Sequence, residues 1–141
     1  MKGLIIAVMF LAGCAAPRFN RPQQVADWAK CDLSKISYWI AQGIDYKIYK
    51  GFEEAEVCMA RGEGDCKCKA VVGQKILERC AGYSPKLVIV RNKSATRRHA
   101  ITIFTDYRGK KGFINDYQVE TGYDDWSDVL DKVSGGPWIY E

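Results

Sequence analysis

The sequence predicts an α+β domain in which helices come first and an antiparallel sheet follows. In the first half of the chain, apolar residues recur at the spacing of an amphipathic helix. After Gly82 they occur instead in short β-branched runs separated by turn residues. Residues 25–141 contain both patterns and have the length of one domain with its own core.

Three helical segments are predicted before the sheet, the first of them as one helix or two. Their bounds are Val25 to Ala41, Glu53 to Arg61, and Cys66 to about Cys80. A glycine that can end a helix follows each segment, at Gly43, Gly62 and Gly82. Asp65 precedes the third segment and is predicted to cap its N-terminus. The tyrosine-rich stretch Asp45–Gly51 is predicted to be irregular.

The second half of the chain contains three β-branched runs that predict strands. They are Leu87–Val90, Ala100–Phe104 and Gly112–Asn115. Arg108–Gly112 is rich in the residues of tight turns, so the last two strands are predicted to form a hairpin. A short helix over Asp124–Val133 and a final strand over Trp138–Tyr140 complete the predicted domain.

The N-terminus has the pattern of a secretory signal, with Lys2 followed by the apolar run Leu4–Leu11. This run is shorter than the roughly 20 apolar residues that a membrane-spanning helix needs. The tetrad Leu11-Ala12-Gly13-Cys14 resembles the lipobox of bacterial lipoproteins, in which the cysteine is acylated and becomes the new N-terminus. Residues 1–13 are therefore predicted to be a lipoprotein signal peptide, and Cys14 the lipidation site.

The predicted anchor determines where the protein is expected to work. Removal of 13 residues from 141 leaves 128, of which residues 14–24 are predicted to be an acylated tether with two prolines. Ala15 follows the lipidated cysteine, which by the lipobox rule favours the periplasmic face of the outer membrane in a Gram-negative host. The predicted partner is thus a membrane, bound through the lipid, at the cell envelope.

Charge gives no indication of a nucleic-acid partner. The loss of Lys2 lowers the formal net charge from +4 to +3, which is small for a chain of this size. Basic residues do cluster in two places, and a solvated face explains them better than an anionic partner does. The clusters are Arg91, Lys93, Arg97 and Arg98, and then Lys110 and Lys111.

Cys66, His99 and Asp116 together predict thiol chemistry. Cys66 opens a predicted helix, where backbone N–H groups and the helix dipole favour a thiolate. His99 is the only histidine, so no other side chain could be the imidazole base for a cysteine nucleophile. Asp116 ends the strand that follows the hairpin, which brings it beside the start of the His99 strand. We expect its carboxylate to orient the His99 ring.

The segment Gly64-Asp65-Cys66-Lys67-Cys68-Lys69-Ala70 resembles the nucleophile motif of the transglutaminase-like superfamily, Gly-Asp-Cys-x-x-x-Ala in its bacterial cysteine proteinase branch. His99-Ala100 and Asp116, 17 residues after the histidine, resemble the family's other two motifs. The resemblance covers about residues 45–116. It implies a papain/transglutaminase-like core for residues 25–141. Lys67 and Cys68 depart from the pattern, since that branch often has acidic residues there.

The activity implied by the resemblance is acyl transfer through a thioester, with a peptide or protein amide of the cell envelope as substrate. Transfer to water would make the protein a peptidase or amidase, and transfer to an amine would make it a crosslinking enzyme. The backbone N–H of Cys66 and one of Gln42, Tyr46 or Tyr49 are the candidate oxyanion donors. No cofactor is expected. The alternative is an inactive transglutaminase-like lipoprotein that acts in binding or assembly.

The other cysteines allow several arrangements. Cys31, Cys58, Cys68 and Cys80 are an even number in an oxidising compartment, which favours disulfides. A bond between Cys68 and Cys80 is disfavoured, because about 12 residues of helix separate them by roughly 18 Å. The two other pairings, and free buried thiols, remain open. A zinc site built from these thiols and the histidine is disfavoured, because the chain has no paired Cys-x-x-Cys spacing.

Overall fold

The computed structural model describes residues 16–116 and 118–141, so the predicted signal peptide and Cys14 lie outside the described residues. The described residues form five α-helices and a five-stranded antiparallel sheet, which confirms the α+β class. Among the described residues, no helix is long and apolar enough to cross a membrane.

Four of the five described helices come before the five-stranded sheet. They are α1 (Pro22–Ala29), α2 (Leu33–Gly43), α3 (Ala55–Arg61) and α4 (Cys66–Leu77). The first predicted segment is thus two helices, separated by Lys30 and Cys31 in the left-handed conformation. Gly62 ends α3 in a left-handed C-cap, as predicted. The α4 helix ends three residues before the predicted Cys80, because a turn leads from Leu77 to the first strand of the five-stranded sheet, which begins at Ser84.

Seven strands are present in the described residues. Two short ones, β1 (Asp45–Tyr46) and β2 (Glu63–Gly64), pair in parallel, and β1 lies in the stretch predicted to be irregular. The others form one sheet in the order β6-β5-β4-β3-β7. Their bounds are β3 (Ser84–Arg91), β4 (Arg98–Thr105), β5 (Lys111–Asn115), β6 (Gln118–Tyr123) and β7 (Ile139–Tyr140). The polar sequence of β6 contains no β-branched run, which is why the sequence did not predict it.

The first face of the sheet packs on α4. Along β4 the side chains alternate, so that Thr102 and Phe104 face the helices. The Thr102 hydroxyl donates to the Ala70 carbonyl at 2.7 Å. A Cβ on Gly73 would lie 2.7 Å from the same hydroxyl oxygen, so glycine is what permits this close helix–sheet contact. The resulting core also takes in α1, α2 and α3 around the buried ring of Trp39.

The opposite face of the sheet carries a second, smaller core. Ile101 and Ile103 from β4 and Phe113 from β5 pack there against Trp138 and α5 (Trp126–Lys132). The strand β7 follows Trp138 and pairs with the end of β3, which confirms the predicted final strand. The sheet therefore has helices on both faces, with α4 on one side and α5 on the other.

The segment predicted to be a tether is folded against the domain from Ala16 onward. Trp39 donates its indole N–H to the Pro17 carbonyl at 2.8 Å, and the Phe19 ring lies 6.2 Å from the Trp39 ring. Pro22 is the first residue of α1, a position that suits proline because its missing N–H would have no helical partner. The segment differs from the predicted tether because the Phe19 ring packs on the domain, a contact that the proline-rich sequence did not indicate.

Two disulfides join the helical layer. Cys31 bonds to Cys80 with their Cα atoms 5.7 Å apart, and Cys58 bonds to Cys68 with a Cα separation of 5.9 Å. This is one of the two pairings that the sequence left open. The bond from Cys58 to Cys68 ties α3 to the first turn of α4, two residues after Cys66. Cys66 is the one cysteine of the described residues that is not in a disulfide.

Candidate active site

Cys66 is held at the N-terminus of α4 by the side chain of Asp65. That buried carboxylate accepts the backbone N–H of Lys67 at 3.0 Å, which confirms the predicted N-cap. It also pairs with the Lys67 ammonium at 2.6 Å and accepts the backbone N–H of Tyr49 at 3.2 Å. One aspartate therefore fixes the start of the helix and the loop beside it.

Gly64 also fixes the approach to Cys66. A Cβ at this position would overlap the side chain of Cys68, which lies against the Gly64 backbone one turn into α4. The disulfide from Cys58 holds Cys68 there, so the neighbouring side chain cannot move away. Gly64 of the Gly-Asp-Cys sequence is therefore required because no larger residue would fit against Cys68.

His99 lies near the start of β4, and its ring has contacts on two sides. The ring stacks on Trp138, with the centroids 5.5 Å apart. Its Nε2 atom lies 2.6 Å from Oδ1 of Asn115, the last residue of β5. Because the amide oxygen can only accept, Nε2 carries a proton in this bond, and Nδ1 is the nitrogen available to Cys66.

The sequence predicted that Asp116 would orient His99, but in this structure Asn115 makes the hydrogen bond to the ring. The Asp116 carboxylate instead accepts from the Lys69 ammonium at 2.7 Å. Asp116 has left the strand in a left-handed conformation, with φ of 52°.

Strand parity explains this change of partner. Thr102 pairs with Ile114, so the next pair, Ile101 with Asn115, lies on the face that His99 shares with Ile101. Because side chains alternate along a strand, the Asp116 side chain would lie on the opposite face of the sheet. The sequence could have identified Asn115 only through the register of the hairpin, which determines the side chains that lie on the same face as His99.

Electrostatics favour an ion pair between Cys66 and His99. Burial disfavours the thiolate, but hydrogen bonds from His99 and from the Ala100 backbone outweigh it and lower the pKa of Cys66. Burial likewise disfavours the imidazolium, but hydrogen bonds to Cys66 and Asn115 raise the pKa of His99. The negative charge of Asp116 contributes in the same direction. Both shifts stabilise the thiolate–imidazolium form.

The two shifts predict different pH profiles for alkylation and for acyl transfer. A lowered thiol pKa keeps the thiolate at lower pH, so the rate of Cys66 alkylation by iodoacetamide is expected to rise through an inflection below that of the urea-unfolded protein. A raised imidazole pKa keeps the imidazolium at higher pH. Acyl transfer, the activity expected from the sequence, would need that proton as well, so its rate is expected to show a bell-shaped pH profile. Coincident inflections in folded and unfolded protein would contradict this prediction.

The three oxyanion candidates are in different places. Tyr46, 66% exposed, lines a cavity of about 440 Å³ together with Cys66 and His99. Tyr49 is directed elsewhere, because its hydroxyl donates to Glu63 at 2.9 Å and the Arg61 guanidinium covers its ring at 3.6 Å. Gln42 lines a separate cavity of about 300 Å³ that does not include Cys66. Of the three, only Tyr46 lines a cavity together with Cys66.

Cys66 and His99 lie where two cavities meet. They line the 440 Å³ cavity on the side of Asn115 and Lys69. They also line an open groove of about 1180 Å³ that extends along β3. Cys66 and His99 are therefore accessible from two sides, one a small cavity and the other a groove large enough for an extended ligand.

The described residues offer no alternative metal site. Cys58, Cys68 and Cys80, three of the thiols that a zinc site would need, are in disulfides. In residues 16–116 and 118–141, no group of three or more histidine, cysteine or acidic side chains is placed to hold a metal ion.

Comparison with known proteins does not assign the chain to a family. None of the protein-family models matches it, and none of the curated proteins is significantly similar to it. The geometry around Cys66 is therefore the basis on which a function can be proposed.

Proposed function

We propose that this chain is a lipid-anchored, transglutaminase-like thiol acyltransferase of the cell envelope that hydrolyses, or transfers, peptide or protein amide bonds. The observation that carries the proposal is the row of side chains Cys66, His99 and Asn115. Cys66 lies at a helix N-terminus, and its thiol has a lowered pKa beside the His99 imidazole. The Asn115 amide bonds to the other ring nitrogen of His99. These are the parts of a cysteine acyl-transfer site.

The mechanism follows from the protonation states of Cys66 and His99. The Cys66 thiolate attacks the amide carbonyl, and the charge that develops on oxygen is stabilised by the Cys66 backbone N–H and by the Tyr46 hydroxyl. His99 gives its Nδ1 proton to the departing amine, which leaves a thioester on Cys66. A water molecule, or an amine, then loses a proton to His99 and attacks the thioester. The products are a carboxylic acid, or a new amide, and the restored thiol.

Asn115 and Asp116 have separate parts in this proposal. The Asn115 amide oxygen accepts a hydrogen bond from the Nε2–H group and so keeps Nδ1 directed at the thiol. Asp116, held by Lys69, supplies negative charge that favours the imidazolium without bonding to the ring. The expected lipid on Cys14 would confine the reaction to the membrane surface.

An activated ester tests this proposal without knowledge of the substrate. Wild-type protein treated with p-nitrophenyl acetate is expected to acquire one acetyl group on Cys66, seen by mass spectrometry, and to lose it again to water. Added glycine ethyl ester is expected to accept the acetyl group if transfer is favoured over hydrolysis. In His99→Ala both steps are expected to be slow. An acetyl group that forms no faster than on glutathione, or that never leaves, would contradict the proposal.

One observation favours the second candidate function, a binding or assembly role without catalysis. Large apolar side chains are strongly exposed at the end of β1, in the stretch between β1 and α3, and in α3 itself. They are Tyr46, Ile48, Phe52 and Val57. Exposed apolar patches commonly mark interaction surfaces. Under this alternative Cys66 would be alkylated no faster than an ordinary exposed thiol.

A further inference from the structure

The outer edge of β3 is paired over only part of its length. In the described residues, β7 pairs with Val90 and Arg91 alone, and the Glu141 N–H adds one bond to the Ile89 carbonyl at 3.2 Å. Residues 84–88 pair with β4 on the inner side, and no strand of residues 16–116 and 118–141 pairs with them on the outer side. This leaves an open edge five residues long, or about 17 Å.

The register shows which backbone groups point outward. In an antiparallel strand the N–H and C=O of one residue point to the same side, and the side alternates along the chain. The Ile89 carbonyl points outward to Glu141, so the backbone groups of Leu87 and Pro85 point outward as well. Pro85 agrees with this assignment, because proline is tolerated where its nitrogen faces away from the sheet. Leu87 therefore presents an N–H and a C=O, and Pro85 a C=O.

The open edge belongs to the groove that contains the reacting thiol. Ser84, Pro85 and Val88 line the same 1180 Å³ space as Cys66 and His99. A site of this volume exceeds the range of about 300–1,000 Å³ that is usual for small-molecule pockets. An extended chain paired with this edge of β3 would therefore lie in the same groove as Cys66 and His99.

Charge and apolar surface indicate the kind of chain that would fit. Among the described residues that line the groove, Lys67, Lys86 and Arg98 carry positive charge in addition to the His99 ring, and Glu141 alone has an acidic side chain. Lys67 and Arg98 are paired with Asp65 and Glu141. Lys86 is exposed and makes no ion pair within the described part of the chain. The half-exposed ring of Phe52 adds an apolar contact.

We propose that the groove binds an acidic polypeptide segment in extended conformation, as an added strand on the Ser84–Val88 edge of β3, with the scissile amide at Cys66. This inference rests on the proposed acyl-transfer function and names its substrate class: a protein or peptide segment with carboxylate side chains. Main-chain bonds to Leu87 and Pro85 supply affinity, and Lys86 selects for negative charge.

The probe for the experiment is a fluorescein-labelled, end-blocked peptide of alternating glutamate and valine. It is titrated against Cys66→Ala protein, so that it is not consumed. In the same background, Leu87→Pro removes the outward N–H, while the matched variant Leu87→Val keeps it. Lys86→Glu reverses the charge in the groove, while Lys35→Glu makes the same change at an exposed residue on α2.

Leu87→Pro and Lys86→Glu are each expected to weaken binding about tenfold, comparable to the loss of one or two hydrogen bonds or of a desolvated charge contact. The two control variants are expected to bind as the parent does. The Leu87 amide is expected to exchange rapidly in the free protein and slowly in the complex, while the inward amides of Lys86 and Val88 stay slow throughout. Circular dichroism of Leu87→Pro checks that it remains folded.

Three results would overturn the inference: equal binding by folded Leu87→Pro, a peptide that binds without slowing exchange at Leu87, or an edge already protected by dimerisation of the free protein. A lysine–valine peptide that binds as tightly as the glutamate–valine peptide would overturn the choice of an acidic segment. Failure of the acyl-transfer function is recognised separately, because thiol alkylation and acetylation of the wild type do not involve this edge.

Discussion

Replacement of His99 with alanine is expected to slow the alkylation of Cys66 by iodoacetamide at neutral pH by about tenfold or more. The reason is that the hydrogen bond from His99 is the largest of the contributions that lower the pKa of Cys66. Without it, burial of the thiol is opposed mainly by the backbone bond from Ala100, and a smaller fraction of Cys66 is thiolate. The labelled residue is identified by peptide mapping.

Asn115 and Asp116 provide the matched comparison for that experiment. Asn115→Ala is expected to slow alkylation several-fold, because the His99 ring loses the partner that directs Nδ1 at Cys66. Asp116→Asn is expected to have the smaller effect, because its carboxylate bonds to Lys69 and reaches His99 only through space. A larger effect for Asp116→Asn would restore the triad expected from the sequence. Unchanged rates in all three variants would favour the binding role.

Removal of the Cys31–Cys80 disulfide by the double substitution Cys31→Ala, Cys80→Ala is expected to lower the free energy of unfolding by about 4 kcal/mol. The bond closes a span of 49 residues, so its loss frees a large part of the unfolded chain. The Cys58–Cys68 bond spans only 10 residues, and its removal is expected to cost about 3 kcal/mol by the same chain-entropy relation.

Urea unfolding of both double variants, without reductant, measures these two losses. Wild type in reductant is the control, since it should resemble a variant that lacks both bonds. Equal stability of the Cys31–Cys80 variant and the oxidised wild type would contradict the prediction. The Cys58–Cys68 variant should in addition be tested for Cys66 alkylation, because that bond supports the first turn of α4 beside the thiol.

Local signals in the sequence predicted the elements that depend on local chemistry. The Asp65 cap, the Gly62 helix end and the β-branched cores of β3, β4 and β5 each reflect a preference of nearby residues, and all are present. The short strands β1 and β2 and the polar strand β6 were not predicted. Each exists because a neighbouring strand pairs with it, and no periodicity of its own marks it.

The sequence by itself determined the α+β class, the position of Cys66 at a helix N-terminus and the presence of one histidine on a neighbouring strand, because capping, periodicity and composition are local. Only the tertiary structure decided the partner of each of these groups. The register of β4 on β5 put Asn115 at His99 and left Asp116 to Lys69. Packing also chose the disulfide partners and placed Tyr46, but not Gln42 or Tyr49, in the lining of a cavity that Cys66 shares. A shift of one residue moves a strand side chain to the opposite face, and that parity is set by pairing between strands.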